Sequence, residues 1–455
     1  MLEDRLAPRS EDAPSSLQLD DGSQIAVIGG GPAGSLFSYF LLDMARRVSM
    51  DVQVDIYEPR DFSVPAPLGC NMCGGIVSES LVQILAADGI NLPPTVVQRG
   101  IDSYVLHMDV GSVRIETPLH EKRIAAVHRG SGPRGIKEIK WGSFDGYLQA
   151  LALGRGARAV RERVSGIDWQ DGRPQVKTRS GPPQVYDLIV GAVGVNTSAL
   201  ELFENLGFGY RPPKATKTYI CELAFGEETV QRYLGNAMHV FLLSLPRLKF
   251  AAIIPKGDYV TVCMLGEEID RDLVQAFLNA PEVKRCLPPG WDPAQAPCHC
   301  SPWMNIQAAT QPFADRVVLI GDCGVSRLYK DGIGAAYRTA KAAATTAIFE
   351  GISAEDFRGG YWPVCQGIAN DNAVGKVVFT VTRLIQMTRF SRHAVLDTVA
   401  GEQQQEGGPQ RMSGVLWDTF TGSAPYRDVF LRSLHPAFLS RFLWNMAVSI
   451  WPRRS

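Results

Sequence analysis

Long apolar runs are what this sequence most clearly lacks. No stretch approaches the roughly 18 apolar residues that a spanning helix needs, so no spanning helix is expected. Residues 1–23 are polar, acidic and proline-bearing, without the apolar centre of a signal peptide. An excess of one charge is also missing. Lys and Arg number 46 against 47 Asp and Glu, and a net charge of -1 gives no global reason to expect nucleic acid. Metal-ligand spacing is absent too. Cys70 and Cys73 stand as C-x-x-C, but no second such pair completes a zinc site, and Cys298-His299-Cys300 is poorly spaced for one. His107, His120, His128, His239, His299, His393 and His435 form no ligand motif, so they are read as structural or surface residues and no metal is expected. Nine cysteines, an odd number in a long chain, suit a reducing, cytoplasmic compartment. No internal repeat is visible.

What is present begins at residue 24. Gln24-Ile25-Ala26-Val27-Ile28 reads as a buried parallel strand, and G-x-G-x-x-G follows, filled by Gly29, Gly31 and Gly34. Pro32 and Ala33 complete the loop, and a helix is expected from Ser35 to Arg47. Gly29 permits the tight turn, Gly31 lets a diphosphate approach the backbone, and Gly34 lets the helix pack closely on the sheet. The phosphates would meet free N–H groups at the positive end of the helix dipole. A second strand, Val52–Tyr57, ends in Glu58, where an acid takes ribose hydroxyls, and Arg60 joins it as a binding candidate.

Further along, Pro65 to Ser78 is a loop rich in proline, cysteine and glycine that leads into a helix at Glu79. Cys70 and Cys73 read either as buried thiols or as a redox pair, and Gly74 and Gly75 favour a close backbone approach to a ligand. Arg129-Gly130-Ser131-Gly132-Pro133-Arg134 reads as a solvated loop rather than a cofactor contact. Tyr186 to Gly194 is a buried strand ending in a glycine turn. Lys256-Gly257-Asp258 is a hairpin turn, residues 287–302 a proline-rich loop, and Arg316 to Asp322 another parallel strand. An alanine-rich helix follows from Gly332 to Glu350.

Together the glycine loop with Glu58, the strand reaching Gly194, and Gly321-Asp322 resemble FAD-dependent oxidoreductases of the aromatic-hydroxylase type. Cys73-Gly74-Gly75 and Phe250–Val262 narrow the resemblance to the geranylgeranyl reductase family. Two departures stand out: Val193 replaces the family's aspartate before Gly194, and Phe250 is the nearest aromatic ahead of Pro255. The resemblance implies an α/β fold: a Rossmann-type FAD-binding domain, an inserted mixed β-sheet substrate domain and a helical C-terminal region. The expected boundaries are a disordered tail at 1–22; an FAD domain from 23–100, 141–200 and 301–350; a substrate domain from 101–140 and 201–300; and a helical region at 351–455.

It also implies roles. The Asp322 carboxylate would accept from the ribityl hydroxyls beside Gly321. Gly332, Ile333, Gly334 and Ala335 would open a helix aimed at the flavin N1/O2 edge. Cys73 and Cys323 are the catalytic candidates, expected to approach one another near the ring, with Cys323 as a small buried residue the alternative. The activity implied is hydride transfer from reduced flavin to a carbon–carbon double bond of an isoprenoid or other apolar substrate. Alternatives are an NAD(P)H- and dioxygen-dependent monooxygenase or halogenase, although the halogenases' tryptophan-rich motif is not found, and a flavin-binding protein without turnover. No second G-x-G-x-x-G unit set between a strand and a helix is visible, so NAD(P)H would bind transiently, or ferredoxin or quinol would donate. Phe438 to Trp451, flanked by Arg441, Arg453 and Arg454, and Val377 to Ile385 read as core-packed or dimer helices, or as interfacial helices giving peripheral membrane contact.

Overall fold

The structure is a computed structural model describing residues 17–450, apart from 67, 71, 72, 137, 293–297 and 406. Most of the expected tail, and Trp451, Arg453 and Arg454, lie outside the described residues. What is described of the tail is packed: Leu19 is buried, and Leu17 accepts a backbone hydrogen bond from Ile352 at 2.8 Å.

Apolar strands flanked by glycine turns build a six-stranded sheet. Its order is Phe313–Ala314, Val317–Leu319, Leu188–Gly191, Ser23–Ile28, Val52–Tyr57 and Arg158–Val160, and all pairings are parallel except that of the first strand. Ile25 to Ile28 are buried, as a strand covered on both faces requires. The first helix spans Pro32–Arg47, so it starts three residues before the expected Ser35. Proline at its first position has the right φ and no N–H to leave unpaired. The helix Gly332–Phe349 packs against it through small residues such as Ala340 and Ala344.

A seven-stranded sheet runs Cys298–Cys300, Tyr219–Ala224, Tyr259–Gly266, Leu248–Pro255, Ala237–Phe241, Ser103–Met108 and Gly111–Glu116. It is antiparallel except where Ala237–Phe241 meets Ser103–Met108. Lys256-Gly257-Asp258 is the expected hairpin turn, closed by Lys256 N–H donating to the Tyr259 carbonyl at 3.0 Å. Alternation divides the apolar residues: Phe250, Ala252 and Ile254 enter one core, Ala251 and Ile253 the other. Helix Arg271–Asn279 covers the second face, and helices from Trp362–Met387 to Arg411–Thr421 cover the first. The expected loop at 287–302 contains the edge strand Cys298–Cys300, because backbone pairing to Tyr219–Ala224 outweighs the proline content around it.

A small sheet, Ile76–Val77, Ile124–Ala126 and Arg99–Ile101, ties the Cys73 loop to the Arg129 segment. At the C-terminal end, helix Pro436–Ile450 packs on Arg389–Gln403 but leaves Leu443 and Trp444 exposed, while Val377, Leu384 and Met387 are exposed on Trp362–Met387. Among the described residues no helix is long and apolar enough to cross a membrane.

Candidate functional site

Backbone shape builds the first part of the site. Gly29 has φ +109°, and a Cβ there would collide with the Ala192 carbonyl. A Cβ on Gly34 would strike the Gly29 carbonyl and lie 2.9 Å from Val27. Gly31 is the N-cap of Pro32–Arg47 and Ser35 N–H is the first donor back to it, so the N–H groups of Ala33 and Gly34 stand outside the helical ladder. Glu58 is buried against this loop: its carboxylate accepts from Gly30 N–H at 3.1 Å, from Arg60 N–H at 2.9 Å and from the Arg60 guanidinium at 3.0 Å.

The distant turn comes to the same place. Gly321 has φ +63°, and a Cβ on it would lie 2.7 Å from Cβ of Ala33 and 3.7 Å from that of Ala336. The starts of both long helices therefore flank Gly321. Gly321 N–H donates to Thr339 Oγ1 at 2.9 Å, and Asn305 holds the Asp322 carbonyl at 2.6 Å. Burial raises the Asp322 carboxyl, against the Ser326 hydroxyl and Arg129, which favour its ionised form. Gly332 adjoins that carboxyl: a Cβ there would be 3.8 Å from Asp322 Oδ1. At the start of the second helix Ile333, Gly334 and Ala335 are buried, and Asp331 caps it in a left-handed conformation at φ +51°.

Side chains build the second part, most of it not anticipated. Gly75 has φ +68° and its carbonyl, with those of Gly74 and Val127, accepts from Lys256 Nζ, at 3.1 and 2.8 Å for the two glycines. Burial pushes Lys256 down to about 8, while Glu222 favours its charged form. Gly74 packs tightly, since a Cβ on it would lie 3.0 Å from Cys263 Sγ. Burial also pushes the Cys263 thiol up to about 12; its charged or titratable neighbours include Cys73, Lys256 and Lys330. Lys330 Nζ stands 4.3 Å from the Phe250 ring centre and 5.4 Å from that of Phe420, and burial drives it down to about 7.

The Arg129 loop corrects the expectation of a solvated segment: Gly130, Ser131, Gly132 and Pro133 are buried. Arg129 makes a two-pronged contact of 2.9 Å on each arm with buried Asp145. Its desolvation is outweighed by that carboxylate, so its pKa is raised; Cys73 and Asp322 act on it in the same direction. His128 Nδ1 accepts from the N–H groups of Gly130 and Gly132, which leaves Nε2–H to face Glu222 at 3.2 Å. The pairs Arg129–Asp145 and His128–Glu222 hold this loop inside.

Cys73 and Cys323 keep different company. Cys73 Sγ accepts from Gly75 N–H at 3.4 Å, beside Cys263. Cys323 is fully buried and donates to the carbonyls of Gly191 and Ile320, each at 3.0 Å. The Cys323 thiol is thus turned onto the backbone of Gly191 and Ile320, in keeping with the alternative of a small buried residue. Residues missed in the sequence are Lys256, read only as part of a turn, Lys330, Cys263 and the two ion pairs. Their one signal is charge set in apolar or glycine-rich surroundings.

No protein-family model matches the chain, and no curated protein matches it in sequence. Solved structures share its fold. A flavoprotein/dehydrogenase from Cytophaga hutchinsonii superposes with a TM-score of 0.60 at 14% identity, covering 94% of this chain and 100% of its own. The halogenase PltM in complex with phloroglucinol and FAD gives 0.58 at 13%, covering 94% and 91%. PqsL of P. aeruginosa in complex with 2-aminobenzoylacetate gives 0.56 at 14%, covering 81% and 98%.

Proposed function

We propose that the protein is an FAD-dependent oxidoreductase acting on an apolar or aromatic substrate. The observation that carries this reading is the abutment of Gly321 on Ala33, which sets a diphosphate cradle and a sugar-alcohol acceptor side by side, as one extended dinucleotide needs. The fit is chemical as well as spatial. Glycines clear the backbone at Gly29 and Gly34, free N–H groups open the first helix, and the Asp322 carboxyl is positioned as an acceptor. When bound, the flavin would supply redox chemistry that no side chain here offers.

The chain's own residues do the rest. Gly31, Ala33 and Gly34 would bind diphosphate through N–H groups, and Glu58, which orders that loop, would take ribose hydroxyls. The start of Gly332–Phe349 places N–H groups and a helix dipole where negative charge is to be stabilised. Lys330 holds a proton at Nζ beside the Phe250 and Phe420 rings, suited to a substrate with an apolar body and a group that gains negative charge. Cys73, Gly74 and Cys263 form an uncharged wall, and Lys256 fixes the glycine pair in it.

Oxygen chemistry with NAD(P)H as transient reductant, that is monooxygenation or halogenation, is the first reading, supported by the fold shared with PqsL, a probable FAD-dependent monooxygenase, and the halogenase PltM. Double-bond reduction is the second, favoured by the close seating of Cys73-Gly74-Gly75 on the sheet. The exposed Leu443 and Trp444 face supports peripheral contact with a membrane that would hold an apolar substrate. The test is the spectrum of purified protein, then NADPH oxidation with apolar aromatic and isoprenoid substrates, with and without dioxygen. Stoichiometric oxygen uptake identifies the monooxygenase, and anaerobic flavin reoxidation by an isoprenoid the reductase. Folded protein that binds no FAD on titration removes both.

A further inference from the structure

The covered outer face of the seven-stranded sheet carries a cluster that the flavin reading leaves unused. His107 on Ser103–Met108 and His239 on Ala237–Phe241 project from neighbouring parallel strands, and Cys286 follows the short helix Pro281–Lys284 packed over them. All three are buried. His107 Nε2 lies 2.8 Å from His239 Nδ1; Cys286 Sγ lies 3.3 Å from His239 Nδ1 and 3.7 Å from His107 Nε2. These three donor atoms thus form one triangle.

We propose that His107, His239 and Cys286 bind a zinc-class transition-metal ion that clamps the 281–287 segment to the sheet. Tetrahedral zinc, with bonds of about 2.0–2.1 Å to nitrogen and 2.3 Å to sulfur, needs N···N edges near 3.3 Å and N···S edges near 3.5 Å. The two N···S edges, 3.3 and 3.7 Å, bracket the required length, and the N···N edge of 2.8 Å has to open by about 0.5 Å, a ring rotation rather than a backbone shift. A ligating imidazole needs its second nitrogen held, and His107 Nδ1 is held by Ser112 Oγ at 2.8 Å. Stacking on Phe241, with ring centres 4.6 Å apart, fixes the His107 plane.

A thiol with two imidazoles selects a borderline or soft ion over magnesium or calcium. Arg285 and Arg114 are nearby cations, and Glu282 at 3.5 Å offsets the first. Among the described residues no fourth histidine, cysteine or acid joins the cluster, so water completes the coordination. Binding replaces the Cys286 S–H bond with an S–metal bond and releases that proton to solvent; the proton shared by His107 Nε2 and His239 Nδ1 passes to His239 Nε2, so that both facing lone pairs reach the metal. No redox partner is involved. The segment's hold on the sheet then includes the metal-binding free energy.

The protein is purified as holoenzyme without a metal-affinity tag, and zinc is counted by elemental analysis after gel filtration. One zinc per chain is expected, with a Tm that falls by several degrees on chelation and returns with zinc alone. Cobalt substituted for zinc should give a thiolate-to-metal charge-transfer band, read as a difference spectrum against Cys286→Ser. In Cys286→Ser and His239→Gln the zinc content should drop below a tenth of wild type, while flavin content is kept. Folded wild type that takes up neither zinc nor cobalt at saturation overturns the proposal and leaves a neutral hydrogen-bonded cluster. A charge-transfer band that survives in Cys286→Ser overturns it too, by assigning the ion to other thiols. Should both variants fail to fold, the wild-type titration alone decides.

Discussion

The six-stranded and seven-stranded sheets offer chemistry in opposite ways. The parallel sheet presents backbone: glycines at Gly29, Gly34 and Gly321, and two helix starts. The mostly antiparallel sheet presents side chains, with Lys256 and Cys263 on one face and His107 and His239 on the other. The difference follows from construction. A parallel strand ends at a loop leading into a helix, so N–H groups gather at one rim. An antiparallel strand turns straight back and exposes only what alternation places on each face. A cofactor shared across such a chain would therefore be held by main chain and worked on by side chains.

Gly34→Val attacks the backbone half and should have the largest effect. Its Cβ meets the Gly29 carbonyl, so a loss of about 3 kcal/mol of stability is expected, seen as a lowered Tm together with lost flavin absorbance. Flavin retained at wild-type level would break the contrast.

Lys330→Met attacks the side-chain half. Burial puts this ammonium near 7, so it carries its proton below that pH and loses it above. Turnover that uses the proton should fall as pH rises through about 7. The variant should lose this limb and, at pH 6, about 100-fold in kcat, with flavin content unchanged. A pH–rate profile keeping its limb in Lys330→Met shows that another group supplies the proton.

Lys256→Met sharpens the comparison, because this side chain serves backbone. It leaves the carbonyls of Gly74 and Val127 without their buried donor, while that of Gly75 keeps Val127 N–H at 2.8 Å, and about 2 kcal/mol should be lost. Denaturant melts measure this, and flavin titration should show the FAD cradle intact. A variant as stable as wild type would mean that these carbonyls find another donor.

Trp444→Ser should change least. Its side chain is 68% exposed, so stability should move by less than about 0.5 kcal/mol. Co-sedimentation with anionic vesicles should decrease if Pro436–Ile450 meets a lipid surface, and unchanged sedimentation removes that contact.

Sequence and structure divide along the same line as the sheets. The glycine loop, Glu58, the Gly321 turn and the alanine-rich helix were all legible, because the demand on each is local. A strand must be apolar, a tight turn needs glycine, and the residues that meet the constraint are neighbours in the chain. For Cys323 the sequence leaves two readings open, a thiol near the ring or a small buried residue, and the thiol's contacts with backbone fit the second. Nothing local says which way a small thiol rotates, and the Gly191 carbonyl decided it. Arg129 was misread for a related reason. A basic, glycine-rich loop looks solvated until Asp145 is known to lie beneath it.

By itself the sequence determined the α/β architecture, the glycine turn from Gly29 to Gly34 and the hairpin at Lys256-Gly257-Asp258, since periodicity and glycine placement act over a few residues. Only the tertiary structure decided that Gly321 rests on Ala33, that Lys256 reaches the Cys73-Gly74-Gly75 loop, and that His107, His239 and Cys286 converge. Those meetings join segments more than a hundred residues apart or on separate elements. They depend on strand order and on which face each side chain takes, and no short stretch of chain encodes either.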